Sequence, residues 1–318
     1  MSWKLLISDG LEESGIKALQ NQGFIVDVKQ FNPEELKINL PLYDGIIVRS
    51  ATKVRADLMD LCPNLKFIAR GGVGLDNIDV SHAQNRGILV INTPASSSRS
   101  VAELAMAHIL CISRSLQISN RSMIDKESFI DLKKRLSNSY ELQGRTLLLI
   151  GMGRIGRELA KMAIGNGMHV IATDPFIERA EIAFNIAEQA FKINIKLVSL
   201  EIGLQQADYI SIHSPYNGNK ILDESQFLQM KKGVSIINTS RGENINEIAL
   251  LKSIDSGIVR AVGLDVFENE PNINAEILKN PFISISPHIG ASTLDAQQRI
   301  AQELVDKIVT LKAEFIPL

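Results

Sequence analysis

Residues 146–174 read TLLLIGMGRIGRELAKMAIGNGMHVIATD, and this stretch decides the fold. The apolar run TLLLI has strand character and leads straight into Gly151, Gly153 and Gly156, which open a segment of helical period; a second strand-like run then ends at Asp174. Glycines at this spacing let backbone approach a pyrophosphate at a helix N-terminus, where unpaired N–H groups and the helix dipole favour an anion. A carboxylate at the end of the next strand can accept hydrogen bonds from both hydroxyls of an adenosine ribose. Its charge repels a 2′-phosphate, and no Arg follows directly, so the pattern favours NAD over NADP. A glycine-rich turn with a surface aspartate is the plainer alternative, against which strand, helix and carboxylate stand together.

The unit begins almost in mid-chain, so the residues on either side need a role of their own. Before it, KLLISD, FIVDV, DGIIVRS, LKFIARGG and ILVINTP are short apolar runs separated by helix-like segments, a spacing that predicts parallel βαβ units. After residue 146 the alternation returns with TLLLI, MHVIATD, DYISIHSP, VSIINTS, RAVGLDV and FISISP as strands. Between the two layers, residues 100–135 begin VAELAMAHILCISRSL, whose apolar positions predict one long, largely buried helix that bridges domains or forms a subunit interface. The last stretch, TLDAQQRIAQELVDKIVTL, is amphipathic at helical period.

Composition narrows the partners. With 318 residues and 45% hydrophobic content the chain can fill two cores. Lys and Arg number 34 against 36 acids, with no single-sign run, so the sequence carries no footprint for nucleic acid or an anionic membrane, and a small molecule is the expected partner. Cys62 and Cys111 stand far apart without His or Cys neighbours at ligand spacing, so neither a disulfide framework nor a metal site is expected. The expected location is cytoplasmic: no apolar stretch approaches the roughly 18 residues of a membrane span, and MSWKLLISDG lacks a cleavage pattern.

In open parallel sheets ligands bind beyond the carboxyl ends of strands, and polar residues fall there repeatedly. Arg49 and Ser50 follow DGIIV, Arg70 and its glycine loop follow LKFIA, His213 follows DYISI, Arg241 follows VSIINTS, Asp265 follows AVGL, and His288 follows FISIS. Arginines, a tight glycine loop and a histidine suit an anionic substrate that exchanges a proton. Of the five histidines, His82 and His108 lie in helical patterns, His108 as a satisfied core or interface residue, and His169 begins a strand. His213 and His288 remain as bases, and either Glu268 or Glu270 could pair with an imidazole and fix its tautomer.

Taken together, GMGRIG with Asp174, NTSRG, GLDVFENEP and SPHIGAST resemble the D-isomer-specific 2-hydroxyacid dehydrogenases over essentially the whole chain. VRSATKV at 48–54 and RGGVGLDNID at 70–79 look most like the D-3-phosphoglycerate dehydrogenase branch. The resemblance implies an α/β fold of two doubly wound parallel-sheet domains: a Rossmann NAD-binding domain, 98–290, inserted into a flavodoxin-like substrate domain, 1–97 and 291–318, with the active-site cleft and hinge between them. It places Arg241 on the substrate carboxylate and carbonyl oxygen, His288 as acid/base and Glu270 as its partner. Gly151, Gly153, Arg154, Ile155 and Gly156 would surround the pyrophosphate, Asp174 the ribose, and His213, Ser214 and Pro215 the adenine side. Thr239, Ser240, Asp265 and Gly290 complete the cofactor set, with Asp265 on the nicotinamide carboxamide. Gly72, Val73 and Gly74 would hold the substrate carboxylate; Arg49, Ser50, Lys53 and Arg70 would serve the phosphate end, with solvated surface charge as the plainer reading.

The sequence departs from the family pattern at three places. Ser97 stands where many members have Asn, Glu243 and Asn244 follow the catalytic arginine where glycine and apolar residues are common, and SPYNGNKIL looks short. Ending at Leu318, the chain is expected to lack the serine-binding regulatory domain of longer relatives. The expected activity is NAD-dependent oxidation of 3-phospho-D-glycerate in serine biosynthesis by a homodimer. A glyoxylate or hydroxypyruvate reductase is the alternative enzyme, and an NAD-sensing co-repressor the alternative without catalysis.

Overall fold

A computed structural model describes residues 2–186 and 188–315. The chain divides into two compact units, Met1–Ser98 with Ala291–Leu318, and Arg99–Gly290.

The first unit holds β1 (Lys4–Ile7), β2 (Ile25–Val28), β3 (Gly45–Val48), β4 (Phe67–Arg70) and β5 (Leu89–Asn92) in one parallel sheet of order β2-β1-β3-β4-β5. That is the flavodoxin-like order. Central β3 is buried along its whole length because both faces are covered, which is why GIIV reads as unbroken apolar rather than alternating. Leu6, Ile46, Val48 and Ile68 pack on Leu36, Leu58 and Met59 on one side. On the other, Leu5, Ile7, Ile47 and Phe67 meet Ile300, Leu304 and Ile308 of the helix Leu294–Phe315. Each such side chain contributes about 1.5–3 kcal/mol on burial, so the last helix is bound to a sheet that starts at the other end of the chain.

The second unit adds β6 (Thr146–Ile150), β7 (His169–Thr173), β8 (Ala180–Ile186), β9 (Gln189–Leu197), β10 (Tyr209–Ile212), β11 (Val234–Asn238), β12 (Val259–Leu264) and β13 (Ile283–Ile285). Their order is β13-β12-β11-β10-β6-β7-β9-β8, and only the β8–β9 pair is antiparallel. From β9 to β12 this is the Rossmann order 3-2-1-4-5-6. The chain leaves β6 in one direction and returns to β10 on its other side, so the strand order reverses at the end of β6, where the glycine loop lies.

Two expectations are corrected. The β8–β9 hairpin was not among the expected strands, although its period of two is plain: Ala180, Ile182 and Ile195 are buried while Glu181, Lys192 and Lys196 face out, with Glu181 and Lys192 paired at 2.9 Å. The long helix of residues 100–135 is three, Ser98–Ser113, Leu116–Ser122 and Lys126–Arg135. The first stops where two of its terminal carbonyls are taken from outside, Ile112 O by Arg260 and Ser113 O by the Tyr140 amide, while the Ser113 hydroxyl bonds back to Ile109 O within the helix. Ser115 then turns left-handed at φ 53, and Asp125 with Ser128 caps the third helix by a reciprocal box. No single described helix is long and apolar enough to cross a membrane; the first two pass such a test only together, bent by 69°.

Candidate active site

Gly151, Gly153 and Gly156 have different physical duties. Gly151 is left-handed at φ 99, and a Cβ there would lie 2.8 Å from Ser214 Oγ and 3.0 Å from the His213 carbonyl. A Cβ at Gly156 would stand 2.3 Å from Gly151 O, so this glycine lets the helix Arg154–Gly165 pack onto the loop. Gly153, by contrast, faces open space and caps that helix without a side-chain hydrogen bond. The first-turn N–H groups, including those of Arg154 and Ile155, therefore have no intrahelical or side-chain acceptor at the cap. Asp174 is held by the amides of Met152 and Phe176, each at 2.9 Å, which fixes a carboxylate beside the loop with acceptor capacity left over. His213 donates or accepts at Nε2 with Ser211 Oγ at 2.9 Å, and burial pushes its imidazole down to about 4, so it is neutral and poorly suited to proton exchange at neutral pH. His213 Nδ1, Thr239 Oγ1 and Asn244 Oδ1 are buried without a partner among the described residues. An open glycine at a helix N-terminus, a fixed carboxylate and polar atoms in want of partners fit a dinucleotide.

The structure resolves the two glutamates. Glu268 pairs with Lys220, whereas Glu270 Oε2 lies 2.8 Å from His288 Nδ1 and its Oε1 accepts from the Phe267 amide at 2.9 Å. Burial alone would raise the Glu270 carboxyl, but the bond and charge of His288, the Phe267 amide and the charge of Arg241 together hold it below the usual range. Arg241 acts on the same carboxylate and so belongs with the pair. Its carbonyl is fixed by Asn238 Nδ2 at 2.8 Å, and its guanidinium donates to Ser240 O at 2.6 Å. Ser240 is itself held by Asn238 Oδ1.

Asp265 is 1% exposed and inward-facing. Its carboxylate accepts from Ser286 Oγ at 2.6 Å and from the Ile289 and Gly290 amides at 2.9 Å, while its carbonyl accepts from the His288 amide at 2.8 Å. Asp265 thus holds the turn carrying His288. Gly290 is needed there, since a Cβ would stand 3.1 Å from Asp265 Oδ2 and 3.2 Å from Val101. Asn244, one of the departures after the arginine, is fully buried and ties Ser214 O to Ser240 Oγ, both at 3.0 Å, while Glu243 faces water. Pro215 is exposed beside Ser214.

In the first unit Arg49 and Arg70 end adjacent parallel strands, with Val48 registered against Arg70. Arg70 Nε and Asn77 Nδ2 both donate to Arg49 O, at 3.3 and 2.9 Å. Asp9, which sequence reasoning did not single out, accepts from the amides of Arg49 and Thr52 at 2.7 and 3.0 Å and so shapes the turn carrying Ser50 and Lys53, both exposed. Its signal was the same as for the others, a polar residue ending an apolar strand. Gly72, at φ 154, accommodates the Arg70 guanidinium, since a Cβ would lie 2.7 Å from Nη1. Asn92 holds Val73 O at 2.7 Å, with Val73 exposed and Gly74 half-buried in the same loop. Ser97 Oγ and Thr93 Oγ1 are buried without a partner among the described residues.

A sequence model of the D-isomer specific 2-hydroxyacid dehydrogenase NAD binding domain matches residues 106–290. The chain belongs to this family. It is 39% identical over 312 residues to a hydroxypyruvate reductase of Thermotoga maritima, covering 96% of this chain and 97% of the relative. It is 38% identical over 319 residues to a D-3-phosphoglycerate dehydrogenase of Archaeoglobus fulgidus, covering 99% of this chain and 58% of that protein. Among solved structures, a glyoxylate reductase from Paecilomyes thermophila superposes with TM-score 0.84 at 26% identity, covering 100% of this chain and 97% of the other. The family's cofactor is NAD, in keeping with the cradle described above. Substituting Asp174 by Ala removes the ribose acceptor and its charge; the KM for NADH is expected to rise about 10- to 100-fold while that for NADPH changes little or falls. Equal effects on the two cofactors would show that Asp174 only shapes the loop.

Proposed function

We propose that this family member oxidises 3-phospho-D-glycerate at C2 to 3-phosphooxypyruvate, the first step of serine biosynthesis. The observation that carries the phosphorylated substrate is the pairing of Arg49 and Arg70 on neighbouring strand ends, with Lys53 in the adjoining turn. Gly72, Val73 and Gly74 supply backbone for the carboxylate. When bound, NAD supplies the hydride acceptor. His288 Nδ1 is engaged by Glu270, so Nε2 is the nitrogen that takes the C2 hydroxyl proton; in the reverse direction it returns it. Arg241 stabilises charge on the same oxygen.

A reductase acting on unphosphorylated hydroxypyruvate is the second reading, favoured by the near full-length match to the Thermotoga maritima relative. NADH consumption with 3-phosphooxypyruvate, hydroxypyruvate and glyoxylate separates them. The phosphorylated acid is expected to be preferred, and changing Arg49 and Lys53 together to Ala should raise its KM about 10- to 100-fold with little effect on hydroxypyruvate. Preference for an unphosphorylated acid would overturn the substrate assignment, and tight NADH binding without turnover would favour a sensor. The proposal includes a reducing cytosol, where the unpaired Cys62 and Cys111 remain thiols, and a homodimer using the 52–84% exposed Met123, Ile124, Phe129 and Ile130; a monomer by sedimentation would refute the latter.

A further inference from the structure

The helix Ser98–Ser113 crosses β12 at close range. A Cβ at Gly263 would stand 2.6 Å from the Cβ of His108 and 2.9 Å from its Cγ, so glycine at 263 is what admits the imidazole. His108 is buried, and both ring nitrogens are engaged: Nδ1 lies 3.0 Å from Ser284 Oγ and Nε2 3.0 Å from Ser286 Oγ. Ser286 Oγ in turn lies 2.6 Å from Asp265 Oδ1.

Counting protons orders this chain. A carboxylate only accepts, so the one hydroxyl proton of Ser286 goes to Asp265. Ser286 must then accept from His108, which places a proton on Nε2. Burial holds the imidazole below its usual range against the opposing pull of Asp265, so the ring carries a single proton and Nδ1 is the accepting nitrogen, 3.0 Å from a Ser284 hydroxyl whose other acceptor, Cys111 Sγ, lies at 3.6 Å. The far end of the chain is the catalytic turn, where Asp265 binds the amides of His288, Ile289 and Gly290 and His288 sits left-handed at φ 54. A non-glycine residue in that conformation is held by its surroundings rather than by its own preference.

We propose that His108 is a positioning residue for His288: through Ser286 it aims the Asp265 carboxylate at the amides of the catalytic turn and so sets the direction of the reacting imidazole. The proposal rests on His288 as the acid/base group of the function given above. A hydrophobic residue at 108 would fill the space yet leave Ser286 without its donor, and the carboxylate would lose the polarisation that a continuous chain supplies.

Two variants and one spectrum test it. H108L is expected to lower kcat about tenfold with the preferred 2-oxo acid, while the KM for NADH stays within about twofold. H108Q, whose amide can still donate to Ser286, is expected to recover most of that loss. If both variants lose activity equally, or neither does, the positioning role is overturned. In the wild-type protein labelled with 15N-histidine, the ring resonances that vanish in H108Q should show the Nε2–H tautomer; an Nδ1–H or doubly protonated ring would overturn the proposal. This spectrum decides the matter even if H108L does not fold. It is independent of turnover, so a failure to reduce any 2-oxo acid would count against the proposed function and not against the hydrogen-bonded chain.

Discussion

An enzyme carrying Asn in place of His288 is expected to bind NADH nearly as well as the parent and to reduce its 2-oxo acid about 10²- to 10⁴-fold more slowly. Asn is the informative substitution because position 288 has φ 54, a region Asn tolerates better than most residues. Its side-chain amide can replace Nδ1 as donor to Glu270, now 2.8 Å away, but it has nothing where Nε2 was. The backbone and a hydrogen bond to Glu270 are kept, and the proton-exchanging ring is removed. Stopped-flow absorbance gives the rate and NADH fluorescence the binding; retained turnover would take His288 out of the chemistry. The companion change, E270Q, keeps an acceptor and removes the charge. Glu270 engages the ring as a carboxylate, and because its carboxyl is held below the usual range that charge is present at neutral pH and lost only as pH falls through the lowered range. The deficit of E270Q should therefore be full at neutral pH and shrink only in acid, where the parent's own carboxylate is protonated. A profile parallel to that of the parent would separate Glu270 from the proton transfer.

What could be read from the sequence follows from how local each signal is. The glycine spacing and Asp174 define a strand, a turn and a helix within one unit, and β1, β3 and β4 read as unbroken apolar runs because both faces of the sheet are covered there, while the edge strands β2 and β5 keep apolar residues such as Ile25, Val28 and Leu89 even though these are exposed. The single helix expected over residues 100–135 is broken after Ser113 by distant partners: Arg260 and Tyr140 take the terminal carbonyls of the first helix, and neither contact has a local sequence signature. The β8–β9 hairpin has a local alternation, but Glu181, Lys192 and Lys196 on its outer side interrupt the continuous apolar runs that mark the central strands. In the site, position at a strand end leaves Glu268 and Glu270 equal and only the family resemblance selects Glu270; the physical reason is Lys220, far away in sequence, which takes Glu268. Asp9 and Asn77 shape the Arg49 turn from other strands and loops, and His108 was read as a satisfied core residue without its chain to Asp265.

Gly242→Ala should be among the most damaging single changes in this protein, for activity and for stability. Gly242 is buried directly after Arg241, and a Cβ there would lie 1.9 Å from the Phe267 carbonyl carbon, 2.1 Å from its oxygen and 2.5 Å from the Glu268 nitrogen. All three obstacles are backbone, so no rotamer change can relieve them. The peptide it touches borders the site: its own Glu268 amide binds the buried Glu247 at 2.9 Å, whose carboxyl burial pushes up, and the next amide back, that of Phe267, binds Glu270. A methyl group must therefore drive the Arg241 loop away from the segment bearing Glu270, by more than 1 Å if ordinary contact is to be restored. Overpacking against rigid backbone costs about 3 kcal/mol or more, and a misplacement of this size costs on the order of 10² in rate. The melting temperature is expected to fall by roughly 6–12 °C, at about 2–4 °C per kcal/mol for a unit of this size, and kcat by at least about 10²-fold. Gly165→Ala is the control, because a Cβ there meets nothing within 4 Å and the residue ends a helix, so it should be neutral or slightly stabilising. If G242A melts and turns over like G165A, the close approach of the two loops is not what holds Arg241 beside the Glu270–His288 pair.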